Sequence, residues 1–288
     1  LLLDRSVHDF DITTNCLPDE LLIIAKQDNI TVVPTGLQHG TVTFIIDKEP
    51  VEVTTYRIDE EYLNHRKPSH VEFTPSLKED LKRRDFTINA LCIDNHKILD
   101  YFDGLQDLNN SIIRCIGDAS ERFNEDALRI LRALRFKCVL NFTIDPQTYK
   151  AIQTNAHLLS SISKERIRDE FIKLLESDEA DLLLLLSHSN TLLEIIPEYE
   201  LAFDVTQKSR YHIYNVCDHM NAALNASKGA PLTLRLAILL HDLEKKNYKT
   251  MDANNHAHFK GHAHASAKWS RVILNRLRFP KAIIREVY

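Results

Sequence analysis

The sequence predicts an α+β protein, with a small mixed α/β head followed by mostly helical units. Three observations predict it. Only 6 of the 288 residues are Gly, well under the ~7% usual for globular chains, and Leu, Ile, Glu and Lys abound, which favours long helices. Alternating, β-branched runs are confined to the first hundred residues or so. Beyond Asp118 the pattern turns helical almost without a break.

The elements follow in order. Strands are expected at Phe10–Thr13, Thr41–Ile46 and Val51–Tyr56. A helix opened by Pro18 is expected over Leu17–Ala25. Helices are then expected at Glu121–Cys138, Pro146–Asn155, Lys164–Leu175, Ala180–Leu186, Val216–Leu224, Leu232–Leu240 and Ala265–Leu277. Breaks near Asp100–Leu108, Ile196–Lys208 and Lys228–Pro231 suggest units over 1–100, 101–205 and 206–288.

Composition narrows the function classes. No apolar run approaches the ~18 residues of a membrane span; none is longer than five residues, as at Leu182–Leu186. The opening Leu-Leu-Leu has no basic start and no cleavage site, so no signal peptide is expected. Five scattered Cys (Cys16, Cys92, Cys115, Cys138, Cys217) without a CxxC suggest reduced thiols and a cytoplasmic protein. Net charge is −5, but residues 201–288 carry 14 basic and 6 acidic side chains. A basic C-terminal unit can track a phosphate backbone; a solvated helical surface explains it equally well.

Three segments carry candidate chemistry. In His8-Asp9-Phe10-Asp11, Asp9 and Asp11 are two residues apart and share a strand face. Two close carboxylates repel unless a cation lies between them, and Mg²⁺ takes such carboxylates together with phosphate oxygens. Two solvated Asp at a strand end are the plainer account. Glu52, between Val51 and Val53, faces away from a core that holds both Val and can complete a two-metal site or form an edge salt bridge. In Arg83-Arg84-Asp85-Phe86-Thr87-Ile88-Asn89, Arg suits triphosphate oxygens, while Asp85 and Asn89 can contact a ribose or orient the Arg; a helix entry with a local ion pair is the alternative. Glu125–Phe136 reads as helical, with Asp126, Arg129, Arg132 and Arg135 at steps of three. A carboxylate beside a guanidinium can read a base edge, and a surface salt-bridge ladder would look the same.

Taken in order with Pro34–Thr41, Tyr101–Leu108 and Ser163–Ile167, these segments resemble the class II tRNA nucleotidyltransferases, the bacterial CCA-adding enzymes of the polymerase-β superfamily. The resemblance is dense over residues 1 to about 175. It implies addition of C and A to the tRNA 3′ end from CTP and ATP, with release of pyrophosphate. It implies Mg²⁺ on Asp9 and Asp11 with Glu52 as third acid, and nucleotide recognition by Arg84 and Asp85. Asp126 and Arg129 become a protein template, with Arg132 and Arg135 further along. Residues 58–76, including Arg66 and Pro68, match the loop that switches between CTP and ATP. The family's Gly-Gly-x-x-Arg-Asp segment would precede Leu1, and the chain has no initiator Met, so the head is expected to lack its N-terminal part.

His219, His241-Asp242 and His262 follow the order of HD-type metal phosphohydrolases, an expected C-terminal domain with a possible second divalent metal. Leu243-Glu244 replaces the usual Ile-Gly, and a later ligand Asp is not evident. That makes a degenerate supporting or RNA-contacting domain the stronger expectation, and this domain too is expected to be incomplete. Rival readings are a CC-adding or A-adding partial enzyme, a poly(A) polymerase, an HD phosphohydrolase and a non-catalytic RNA-binding protein. Val32–Leu37 replaces the basic, aromatic stretch of poly(A) polymerases, and the matched switch loop favours full CCA addition.

Overall fold

The computed structural model describes residues 2, 3, 11–59, 62, 63, 67, 68, 71–177, 179, 181–203, 205–207 and 213–288, without the side chains of residues 35, 62, 63, 67 and 68. The chain forms two compact units, Leu1–Gln106 and Asp107–Tyr288.

The first unit is built on a four-stranded sheet. Its elements are β1 (Asp11–Thr14), α1 (Pro18–Gln27), β2 (Thr31–Gly36), β3 (Thr41–Ile46) and β4 (Glu49–Thr55), in sheet order β1-β4-β3-β2. Pro18 starts α1 with the fixed φ a first turn needs, and Glu20 reaches back to the Leu17 N–H at 2.8 Å. Leu21 and Ala25 of α1 meet Val42, Phe44 and Val53 of the sheet in the core of this unit. Burying each large side chain contributes about 1.5–3 kcal/mol. β3 and β4 join through Asp47 and Lys48, both at positive φ, the backbone of a two-residue hairpin turn that matches strand twist.

Next come β5 (Arg57–Asp59), β6 (Tyr62–Leu63), β7 (Lys67–Pro68) and β8 (Val71–Phe73), paired β5 with β8 and β6 with β7. Then α2 (Leu77–Lys82) leads to a 3₁₀ turn at Thr87–Asn89 and the hairpin β9 (Leu91–Asp94) and β10 (Lys97–Asp100). α3 (Gly104–Asn109) follows. A Cβ at Gly104 would sit 2.3 Å from the Thr87 carbonyl oxygen. Gly104→Ala must push the backbone of the 87–89 turn, and should destabilise by about 1–3 kcal/mol. Thermal unfolding checks this, and an unchanged Tm would show that the two segments can separate freely.

The second unit is helical: β11 (Ile112–Ile113), α4 (Ala119–Glu125), α5 (Leu128–Leu140), β12 (Thr143–Ile144), α6 (Pro146–Asn155), α7 (Lys164–Leu175), α8 (Leu182–His188), α9 (Thr191–Ile195), α10 (Val216–Ala226), α11 (Leu232–Leu240), β13 (Thr250–Met251), β14 (Ala257–His258), α12 (His262–Arg276) and α13 (Lys281–Val287). Among them α4 packs on α6, α5 on α7, and α10 on both α8 and α11. Phe123, Ile130, Leu131, Leu134, Ile167 and Phe171 are fully buried between them. Asp118, Asp145 and Asn215 cap α4, α6 and α10 by accepting a backbone N–H three residues on.

One expected helix is two. Glu121–Cys138 breaks at Asp126, which has extended φ/ψ of −138° and 100°. Its carboxylate accepts the Leu128 N–H at 3.1 Å, a local bond that competes with helix continuation. No helix among the described residues is long and apolar enough to cross a membrane.

Candidate functional site

β1 and β4 run parallel with Asp11 opposite Glu52. Partners in register point to the same face, on strands ~4.8 Å apart. The neighbouring Val53 and its β3 partner Val42 are buried on the other face, which leaves Asp11 and Glu52 exposed. Two acidic side chains therefore converge on one solvent-facing patch, a costly arrangement that a cation relieves. Asp9 lies outside the described residues, as does Arg66. Pro68 is within β7, where it pairs with Tyr62.

The Arg83–Asn89 segment sits at the end of α2. Asp85 accepts the Phe86 N–H and an Asn89 side-chain N–H, both at 2.9 Å, so these two polar groups are fixed by each other. Arg84 donates one long bond to the Asn89 carbonyl at 3.4 Å and lies 3.6 Å from Asp80. Its Nε is buried without a hydrogen bond among the described residues. Most of its donors thus have no hydrogen bond among the described residues.

In the second unit, the Asp126 carboxylate is bonded from another helix. Arg166 of α7 clamps it with two bonds, at 3.2 and 2.7 Å. Arg129 is 8% exposed and donates to Glu125 at 2.6 Å and to the Arg122 carbonyl at 3.1 Å. Arg135 donates to the buried Glu170 at 2.6 Å. The guanidiniums of Arg132 and Arg135 lie 5.4 and 4.1 Å from the Phe136 ring centre, within cation–π range.

The four residues of the expected C-terminal metal site converge. Asp242, nearly fully buried, has His241 Nε2 at 3.0 Å, His219 Nε2 at 3.6 Å and His262 Nε2 at 3.1 Å. His241 Nδ1 and His262 Nδ1 contact the Ile238 and Phe259 carbonyls. Such outer bonds hold the ring and aim Nε2 inward, as around a metal. Among the described residues Asp242 Oδ2 makes no directed hydrogen bond, and the ligand atoms of His219, His241 and Asp242 all lie within 4.8 Å of one another. The donor set fits a divalent ion. Lys245 competes for the place: its Nζ is 2.7 Å from the same carboxylate and donates to Gln207. Burial would raise the Asp242 carboxyl, but the His241 and Lys245 contacts outweigh it and hold the group well below the usual carboxylate range.

The chain is similar to known proteins over much of its length. Residues 1–114 match the poly A polymerase head domain, and residues 141–203 match a segment described as a probable RNA and SrmB-binding site of polymerase A. A CCA-adding enzyme of Lactobacillus johnsonii is 51% identical over 175 residues, which is 60% of this chain and 43% of that protein. The chain is thus similar to CCA-adding enzymes. It spans less than half the length of the curated relatives it matches, among them a Staphylococcus aureus CCA-adding enzyme at 47% identity over 175 residues. The Bacillus stearothermophilus CCA-adding enzyme in complex with CTP superposes with a TM-score of 0.73 at 31% identity, covering 99% of this chain and 61% of that one. A tRNA nucleotidyltransferase complexed with a primer tRNA and an incoming ATP analog superposes at 0.66 and 28% identity, over 99% and 75%. Two residues at these sites carry no role in the sequence reading: Arg166, within a segment matched only by its order, and Asp80, within the charged stretch before Arg83.

Proposed function

We propose that this chain adds C and A to the 3′ end of tRNA, taking the nucleotides from CTP and ATP without a nucleic-acid template. The observation that carries this is the register of Asp11 and Glu52 on one exposed face of a nucleotidyltransferase head. The tRNA 3′-hydroxyl oxygen forms a bond to the α-phosphorus, the bond from that phosphorus to the bridging oxygen breaks, pyrophosphate leaves, and the hydroxyl proton passes to solvent. Asp11 and Glu52, with Asp9, would hold Mg²⁺. Bound there, the ion would offset charge on the attacking and leaving oxygens. Arg84 offers its spare donors to the triphosphate, and Asp85 and Asn89 face the ribose. Asp126 and Arg129 select the base, with Arg132 and Arg135 completing nucleotide binding. A cytoplasmic location agrees with the free thiols.

The test uses three tRNAs, ending before CCA, after C and after CC, each given CTP, ATP or both with Mg²⁺. Ordered growth to CCA followed by arrest is expected. Arrest at CC, or addition of A only to a CC end, would make it a partial enzyme. Long A tails would make it a poly(A) polymerase, and no extension would defeat the reading.

The converging His219, His241, Asp242 and His262 favour a second role for the C-terminal unit, as a divalent-metal site of the kind that hydrolyses phosphoesters. After chelator treatment, equilibrium dialysis against Mn²⁺ should show one tight site that Asp242→Asn removes. Absence of that site would leave Lys245 as the lasting partner of Asp242 and the cluster as a structural support.

A further inference from the structure

Asp80 is fully buried on α2 and takes no part in the chemistry above. Its Oδ1 accepts the Arg57 backbone N–H at 3.1 Å and two Arg83 donors at 3.0 and 2.7 Å. Its Oδ2 makes no hydrogen bond among the described residues and faces Arg84, 3.6 Å away. Asp59 joins from β5, 3.1 Å from Arg57 Nε and 3.6 Å from Arg83. Three guanidiniums and two carboxylates thus meet here among the described residues, beside the proposed triphosphate position.

A buried carboxylate persists only where several cationic donors offset its desolvation. Arg83 saturates the near oxygen. The far oxygen therefore attracts Arg84 by charge at 3.6 Å without closing a two-bond fork, which would consume the donors an anion needs. We propose that Asp80 is a positioning residue for nucleotide binding: it aims the Arg84 guanidinium and leaves that group's donors unspent. The same carboxylate ties α2 to the first residue of β5. Arg57 in turn donates to the His39 carbonyl at 2.5 Å, so three segments of the head share one anchor. This rests on the reading of Arg84 as a triphosphate ligand.

The test measures kcat, KM for CTP and ATP, and KM for tRNA in the whole chain carrying Asp80→Asn, which keeps the volume and removes the charge. KM for both nucleotides should rise about tenfold while KM for tRNA holds within about twofold. In an Arg84→Ala background, Asp80→Asn should add almost nothing to KM, because the effect passes through Arg84. Unchanged nucleotide KM in folded Asp80→Asn, or a loss seen only as less active protein, overturns the proposal. If Asp80→Asn does not fold, Arg83→Gln decides. Losing the competing guanidinium lets Asp80 draw Arg84 closer, so nucleotide KM should rise, and an unchanged KM overturns the proposal. A wild-type chain that extends no tRNA brings down the functional reading and this inference together, whereas an active wild type with unmoved variants brings down the inference alone.

Discussion

Asp11→Asn is expected to cut nucleotide addition on the order of 10³-fold, with tRNA binding largely intact. The variant keeps the shape of β1 and its register against β4, and loses only a charge on an exposed face. Asp11 and Glu52 stand opposite each other across two paired strands, and like charges so placed weaken a sheet. Removing one should leave Tm unchanged or slightly higher. A fall in activity with no fall in stability is the mark of a site whose charges serve a ligand. Asp9→Ala should lose activity to a similar degree, on the ground of its strand spacing from Asp11 in the sequence. Full activity in Asp11→Asn would remove the metal-site assignment, and lost activity with a depressed Tm would make Asp11 structural. Gel extension assays, filter binding of tRNA and thermal unfolding give the three readings.

What the sequence made legible follows its strongest local signals. Pro18 and Glu20 mark the start of α1, and Pro146 after Asp145 marks that of α6, because both placements satisfy helix-end donors. The alternation in Val51–Tyr56 already turns Glu52 away from the valines, and the structure shows that same face exposed. The two hairpin turns were illegible: Asp47-Lys48 and Asn95-His96 take positive φ with none of the glycines that usually announce it. The break at Asp126 was illegible too, since Leu, Ile and Arg continue the helical period on both sides of it. Buried charge is the hardest case. In Lys78-Glu79-Asp80-Leu81-Lys82 nothing local separates one charge from the next, and only tertiary packing shows that Asp80 is enclosed while Lys82 is not. The order of His219, His241, Asp242 and His262 was visible, whereas the claim of Lys245 on the same carboxylate needed coordinates.

The second large effect concerns the choice of base. Asp126→Ala should raise incorporation of a wrong nucleotide, such as U from UTP, on the order of 10–100-fold relative to C and A, because a site that hydrogen-bonds a base edge rejects mismatches by leaving its own polar groups unpaired. Turnover with CTP should fall less. The variant also frees Arg166 and removes the bond to the Leu128 N–H, a capping loss of about 1 kcal/mol. Arg129→Ala should behave differently. Arg129 is buried and bonded to Glu125 and to the Arg122 carbonyl, so its removal should cost about 1–3 kcal/mol of stability through the unpaired partners it leaves, in addition to any loss of selectivity. Comparing the two variants separates reading the base from supporting the turn between α4 and α5. Selectivity lost in both, with Tm lowered chiefly in Arg129→Ala, assigns the reading to the pair. Selectivity unchanged in Asp126→Ala would mean that its carboxylate serves only Arg166 and the start of α5, and the choice between C and A would have to be made elsewhere in the chain.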